Sequence, residues 1–131
     1  MSKKVEKYRK SRLLPLKEYI EASKEEGVII LDTRSAAAYE SKRLKGAIHL
    51  NFSDFTAEKL AKLIPDKNTK ILIYCNNNIA GDSMNFAAKS QPLALNIPTF
   101  INLYGYGYKN LYELASLVDA CVLYTSDAAD D

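Results

Sequence analysis

A cysteine followed by a turn-forming loop is the part of the sequence best suited to chemistry. Residues 70–82 read KILIYCNNNIAGD, so an apolar run ends at Cys75. Asn and Gly tolerate tightly turned backbone, so the following loop can curl until backbone N–H groups point at the sulfur. These donors, with the N-terminal end of a helix predicted to begin near Asp82, favour the nucleophilic thiolate. The sequence predicts a reactive cysteine cradled by six uncharged loop residues: Asn76, Asn77, Asn78, Ile79, Ala80 and Gly81.

A buried and inert cysteine is the alternative interpretation, because cysteine is often simply a small core residue. No Lys, Arg or His lies in the loop to lower the pKa of the thiol further. The reactive interpretation therefore depends on backbone donors and the helix end alone.

The elements that must position Cys75 alternate between short β-rich runs and amphipathic runs, a pattern typical of a parallel sheet covered by helices on both faces. The pattern predicts a single α/β domain. Predicted strands are 12–14 at an edge, 28–32, 47–51, 70–75 and 99–103; predicted helices are 16–26, 34–44, 54–64, 83–90 and 111–119.

A second strand ends at Asp32, and the carboxyl ends of parallel strands gather at one edge of the sheet. Asp32 is predicted to brace the site by accepting hydrogen bonds from backbone, and Arg34 to pair with an acid, Glu40 being nearest in sequence. Direct substrate contact by Asp32 or Arg34 is the alternative. His49, between two apolar residues, is predicted to be structural, with a general base as the alternative.

Composition excludes several classes of protein. Two cysteines cannot form a disulfide scaffold for 131 residues, and one histidine gives no zinc cluster, so neither a metal nor a cofactor is expected. No apolar run approaches the roughly 20 residues of a membrane span. No secretory signal is recognised, which predicts a cytoplasmic protein, or a periplasmic one if the N-terminus is incomplete.

Four segments in this order resemble the rhodanese-like sulfurtransferase family. They are ILDTR (30–34), KGAIHL (45–50), IYC (73–75) and NIPTFINLYGYGYKNLYEL (96–114). The resemblance covers residues 13–118 and implies a five-stranded parallel sheet flanked by helices. The fourth segment looks like the family's last strand, glycine turn and final helix. In that interpretation Tyr104 and Tyr106 lie on the same sheet edge as Cys75, where they could form the wall of a pocket. The alternative is that both tyrosines pack against the final helix.

The resemblance implies that Cys75 takes a sulfane sulfur as a persulfide and passes it to a thiol, cyanide or a protein acceptor. The loop departs from the family pattern, because Asn78 and Ala80 occupy the places of the usual glycine and arginine. Loss of the arginine argues against efficient use of thiosulfate. The partner expected is therefore a small sulfur donor or acceptor or a persulfidated protein, and a non-catalytic binding or regulatory module is the alternative function. A cysteine phosphatase is disfavoured, since it also requires a loop arginine.

The sequence predicts three regions: a basic arm (1–12), the rhodanese-like domain (13–119) and a tail (120–131). The arm holds six Lys/Arg and one Glu, and is expected to be a solvated terminus. Because basic and aromatic residues are not interleaved elsewhere, neither nucleic acid nor membrane is an expected partner. The tail resembles the peptide read from one frame of a sequencing adapter, which predicts a read-through artefact; an ordinary acidic tail is the alternative.

Overall fold

The computed structural model of the chain describes residues 3–74, 79–80, 96–115, 118–119 and 124–125. Its helices are α1 (Lys3–Lys10), α2 (Leu16–Ser23), α3 (Ala36–Ser41), α4 (Ala57–Leu63) and α5 (Asn96–Gly105), with a 3₁₀ turn at Phe52–Asp54. Its strands are β1 (Leu13–Leu14), β2 (Ile29–Asp32), β3 (Arg43–Leu44), β4 (Ile48–His49), β5 (Ile71–Tyr74), β6 (Ile79–Ala80), β7 (Leu111–Leu114), β8 (Val118–Asp119) and β9 (Tyr124–Thr125).

Five strands form one parallel sheet in the order β1-β7-β5-β2-β4. The predicted fold class, a single α/β domain with a five-stranded parallel sheet and helices on both faces, is confirmed. The strand β5 is central and wholly buried, as its continuous apolar sequence predicts. Two further pairs of strands lie outside this sheet. The strand β6 runs parallel to β8, and β3 runs antiparallel to β9, which lies in the tail 120–131.

Alternation along the central strand divides the core into two layers. Leu72 and Tyr74 face the side covered by α2 and α3, where they join Tyr19, Ile30 and Leu44. Ile71 and Ile73 face the opposite side, where they pack with residues of α4, of the position directly after it and of α5: Leu60, Ile64, Phe100 and Leu103. The side-chain period of two in a strand therefore feeds both layers.

The fifth strand is not where the sequence predicted it. Residues 99–103 lie in the helix α5, and the strand β7 occupies 111–114, where the final helix was expected. In α5 the residues Thr99, Phe100 and Leu103 share the buried face, which is helical spacing. In β7 the side chains alternate between the two faces of the sheet. Leu111 packs with the α4 and α5 layer, and Leu114, three positions on, packs with the α2 layer.

The helix α5 ends in a glycine-dependent motif. Gly107 has φ +101°, Tyr108 N–H donates to the carbonyl of Leu103 (2.9 Å), and Gly107 N–H donates to that of Tyr104 (3.0 Å). These two bonds, with Leu103 and Tyr108 buried in one cluster, form a Schellman motif.

Gly107→Ala should lower the free energy of unfolding by about 1–2 kcal/mol, because a Cβ disfavours left-handed backbone. Gly105→Ala is the matched control: Gly105 lies inside α5 with open space around its Cβ direction, so alanine should be neutral or slightly stabilising there. Urea unfolding followed by circular dichroism measures both changes. An equal effect of the two substitutions would show that the left-handed conformation does not matter.

The basic arm is folded against the domain, in contrast to the predicted solvated terminus. Tyr8 of α1 donates its hydroxyl proton to the carbonyl of Lys109 (2.5 Å), and its ring lies 5.4 Å from that of Tyr104. Arg9 forms a bidentate ion pair with the buried Glu113 of β7. Partners about a hundred positions away therefore hold the arm in place.

No helix in the described part of the chain is both long and apolar enough to cross a membrane.

Candidate functional site

The carboxyl ends of β2 and β5 lie side by side at one edge of the sheet. Asp32 is the last residue of β2, and it is the register partner of Tyr74, the last residue of β5. Asp32 is also the partner of His49, which ends β4. The chain leaves β2 toward β4 and leaves β5 toward β7, so its path reverses direction between β2 and β5. Ligands of open α/β sheets bind at this kind of reversal.

Asp32 is at the centre of a buried network. The backbone N–H of Arg34 donates to Oδ1 (2.9 Å), Arg34 Nε lies 3.0 Å from both carboxylate oxygens, and Nη2 donates to Oδ2 (2.7 Å). Both side chains of this ion pair are fully buried. Arg34 Nη2 also donates to the carbonyl of Lys42, which ties the pair to the segment before β3. Asp32 accepts a backbone hydrogen bond, as predicted, while its bracing of the loop after Tyr74 stays a prediction. The partner of Arg34 is Asp32 and not the exposed Glu40.

Tyr74 completes the network and was missed by the sequence analysis. Its hydroxyl donates to Asp32 Oδ2 (2.5 Å) and accepts from the backbone N–H of Leu44 (3.2 Å). Burial, with the charge of Asp32, raises the pKa of Tyr74 far above its usual value, so this hydroxyl keeps its proton. The sequence did carry a sign of this contact, because Tyr74 ends an otherwise aliphatic buried strand. A buried tyrosine hydroxyl needs a hydrogen-bond partner.

The guanidinium of Arg34 stays charged. Burial lowers its pKa, but the hydrogen bond and charge of Asp32 act in the opposite direction, and the net effect raises the pKa above its usual value. Its charge also lies over the ring of Tyr74, with Cζ 5.3 Å from the centroid. A cation, a carboxylate and a phenol therefore occupy one dry cluster directly before position 75.

His49 is held by a hydrogen bond and a ring contact. Its Nε2 lies 2.7 Å from the carbonyl of Arg34 and, because a carbonyl only accepts, Nε2 must carry the proton. The imidazole stacks on Tyr39 at 4.8 Å between centroids. The structure thus agrees with the predicted hydrogen-bonded histidine. Nearby, the hydroxyls of Thr33 and Thr99 join the end of β2 to α5 (3.0 Å).

The predicted nucleophile lies outside the described residues. The undescribed residues are Cys75, the loop residues Asn76, Asn77, Asn78 and Gly81, and the helix predicted after Asp82. Ile79 and Ala80 form β6 and pair with Val118 and Asp119. The roles of these residues stay predictions.

Tyr104 and Tyr106 are not brought to this edge. Lys67, in the loop before β5, donates to the carbonyl of Tyr106, and Tyr104 contacts Tyr8 of α1. Because α5 runs back toward the amino ends of the strands, both tyrosines lie opposite the end occupied by Asp32 and Tyr74. The expected position beside Cys75 is therefore wrong, and its cause is the misassigned strand 99–103.

No cluster of three or more His, Cys, Asp or Glu side chains within the described ranges could hold a metal ion.

Comparison with known proteins gives a match to one family. The model of the rhodanese-like domain family matches residues 15–116. A search of curated proteins found no match.

Similar solved structures include a solution structure of the rhodanese-like domain of the Alr3790 protein from Anabaena sp., at 19% identity and a TM-score of 0.55. The alignment covers 91% of this chain and 82% of that one. The BH2092 protein from Bacillus halodurans is similar at 24% identity and TM-score 0.50, with coverage of 81% and 67%. A crystal structure of Alr3790 gives 23% identity and TM-score 0.49; 76% of this chain is covered, and it spans 64% of that one. At these identities the first two likenesses support the fold alone.

Proposed function

Since the chain belongs to the rhodanese-like domain family, we propose that it is a sulfurtransferase in which Cys75 carries a sulfane sulfur as a persulfide. The family includes sulfurtransferases as well as non-catalytic members. The observation that supports catalysis is the position of Cys75 in the chain: it directly follows the central strand, at the reversal between β2 and β5. The buried network of Asp32, Arg34 and Tyr74 holds the backbone that leads into it.

The proposed reaction has two displacement steps. The Cys75 thiolate attacks the outer sulfur of a donor persulfide, a new S–S bond forms, and the old S–S bond breaks with its electron pair leaving on the donor thiolate. An acceptor thiolate then attacks the outer sulfur of the Cys75 persulfide, and the Cys75 thiolate leaves. Neither step consumes an oxidant or a reductant, so the only requirement on the protein is an ionised, accessible thiol.

A persulfidated small thiol or protein is the proposed donor. Ala80 stands at the usual position of the loop arginine, so the loop lacks a cation for the sulfonate end of thiosulfate. Backbone N–H groups and the amides of Asn76, Asn77 and Asn78 are the proposed replacements, and they suit a donor of lower charge.

Mass spectrometry of the intact protein tests this function. Reduced protein treated with glutathione persulfide should gain the mass of one sulfur, and a thiol acceptor should remove it. Cys75→Ser should abolish the gain, while Cys121→Ser, the matched control at the second cysteine, should keep it. The gain from thiosulfate should be at least about tenfold slower, which corresponds to the loss of one charge-assisted contact of roughly 1.4 kcal/mol or more.

One outcome decides between the candidate functions, and a second tests the proposed donor. No mass gain with either donor would favour the non-catalytic binding module, for which the absent loop arginine is the supporting observation. Equally fast loading from thiosulfate would contradict the proposed donor preference.

A further inference from the structure

The fold brings basic and aromatic residues together that lie far apart in the sequence. Nucleic acid was not an expected partner, because the two residue types are not interleaved along the chain beyond the arm. Tyr8 of α1 and Tyr104 of α5 nevertheless meet edge-on, with ring centroids 5.4 Å apart. The helix α1 therefore places its lysines beside an aromatic side chain of α5.

A cleft of about 330 Å³ lies between these two helices. It is lined by Lys4, Lys7, Tyr8, Ser11 and Tyr104. The first four follow helical spacing, and the N–H of Ser11 donates to the carbonyl of Lys7 (3.3 Å), so they form one continuous wall. A volume of this size holds a small molecule or a short segment of a larger one.

The wall that α1 contributes is anchored to the domain. The hydroxyl of Tyr8 donates to the carbonyl of Lys109 (2.5 Å), and Arg9 pairs with the buried Glu113. The guanidinium of Arg12 lies over the ring of Tyr8, 4.7 Å from its centroid. The lysines therefore project from a helix that is already in place, and a ligand that binds them does not have to order the helix first.

The cleft is positively charged. Lys4 and Lys7 are exposed at its wall. Lys109 adds a third exposed ammonium group, 5.0 Å from the centroid of Tyr104. The one carboxylate of α1 is Glu6, which lies two positions from Lys4, so it faces away from the cleft and meets another lysine of the helix. A ligand of this cleft should therefore carry negative charge.

The aromatic side of the cleft distinguishes between classes of anion. Tyr104 is half-buried and lines the cleft. Unpaired bases stack on aromatic side chains, and lysines neutralise the phosphates that link them. An acidic peptide would use the lysines alone, because the face of an aromatic ring is negative and repels carboxylates. Lysines beside a tyrosine therefore favour single-stranded nucleic acid.

We propose that the cleft between α1 and α5 binds single-stranded nucleic acid. Phosphates pair with Lys4, Lys7 and Lys109. One base packs against Tyr104. The cleft lies at the amino ends of the strands, since Lys109 precedes β7, whereas Asp32 lies at the carboxyl end of β2. Binding here is thus separate from the candidate site and does not depend on the proposed sulfur transfer.

Fluorescence anisotropy with a labelled oligothymidylate of about ten nucleotides tests this binding. The parent protein should bind with a Kd of about 1–100 µM at low salt. In Lys4→Ala/Lys7→Ala the affinity should fall, and the slope of log affinity against log salt should become shallower by about 1.4, which is about 0.7 for each lost phosphate contact. Tyr104→Leu should lower the affinity about tenfold without changing the slope, because it removes stacking and no charge.

The matched control is Lys59→Ala/Lys62→Ala. These two lysines are exposed and three positions apart on α4, as Lys4 and Lys7 are on α1, so both double variants lose the same charge. The control should keep the affinity and the salt slope of the parent. Because all four lysines are exposed, their comparison does not depend on core packing and stays decisive even where Tyr104→Leu folds poorly.

Four results would overturn the proposal. They are no saturable binding up to about 1 mM protein at low salt, equal losses in the two lysine variants, an unchanged affinity in a folded Tyr104→Leu, and competition by polyglutamate as strong as that by unlabelled oligonucleotide. The last result would indicate an acidic protein partner instead. A protein that binds the oligonucleotide as expected and takes no sulfur from any donor would keep this site and lose only the proposed catalytic function.

Discussion

Replacing Arg34 with methionine should lower the free energy of unfolding by about 3–5 kcal/mol, which is the usual cost of leaving one partner of a buried ion pair uncompensated. Methionine fills much of the same volume, so the loss is electrostatic and not a cavity effect. Asp32 would keep its bond from Tyr74, but it would lose the guanidinium that now contacts both of its oxygens. Urea unfolding, followed by circular dichroism because the chain has no tryptophan, measures the change.

Arg43→Met is the matched control for this substitution. Arg43 is half-buried, lies over the ring of Tyr39 (4.6 Å from the centroid) and donates to the carbonyl of Tyr39, with no carboxylate partner among the described side chains. Its replacement should cost about 1 kcal/mol or less. In the double variant Asp32→Asn/Arg34→Met much of the Arg34→Met loss should be recovered, since no buried charge remains. Similar losses for Arg34→Met and Arg43→Met would contradict the assigned role of the buried pair.

Much of the sheet could be predicted because its central strands carry their own signal. The runs ending at Asp32 and Cys75 are almost wholly apolar and β-branched, and the structure places β2 and β5 there. The amphipathic segments around α2 and α4 likewise show helical spacing in the sequence, and both helices are present.

The exchange of helix and strand between residues 96 and 114 shows where local patterns fail. Short apolar runs such as 99–103 suit either a strand or one face of a helix, and the period alone does not decide between them. Pro98 is compatible with a helix here, because it lies in the first turn of α5, where a missing N–H costs nothing. Glu113 lies in the segment predicted as the final helix, whereas it is a buried strand residue that pairs with Arg9. That contact is long-range and leaves no trace in the local sequence.

The sequence allowed us to predict which residues lie at the candidate site, but not which of them contact each other. Asp32 and Arg34 were singled out because they follow a strand end, and the structure places both there. Their pairing with each other was missed, because Glu40 was taken as the acid for Arg34, although Glu40 is exposed. The contribution of Tyr74 depends on strand register across the sheet, which a single sequence does not reveal.

Arg9→Ala should destabilise the protein by about 2–4 kcal/mol at pH 8, and by less than half of that near pH 5. Glu113 is 2% exposed. Burial raises its pKa above the usual value even though Arg9 acts to lower it. Because the folded protein then binds this proton more tightly than the unfolded chain, ionised Glu113 costs stability above its folded pKa, and that cost disappears as pH falls through it. Removing Arg9 takes away what lowers the pKa, so the cost grows at high pH.

Two variants make this pH dependence decisive. Lys10→Ala, on the same helix, breaks only an exposed contact with Glu6 (3.7 Å) and should cost less than about 0.5 kcal/mol at either pH. Arg9→Ala/Glu113→Gln should lose the difference between pH 5 and pH 8, because no buried carboxyl remains to titrate. If Arg9→Ala were equally destabilising at both pH values, Glu113 would not be the group that couples α1 to the sheet, and the anchoring of the basic arm would have to come from Tyr8 and its ring contacts instead.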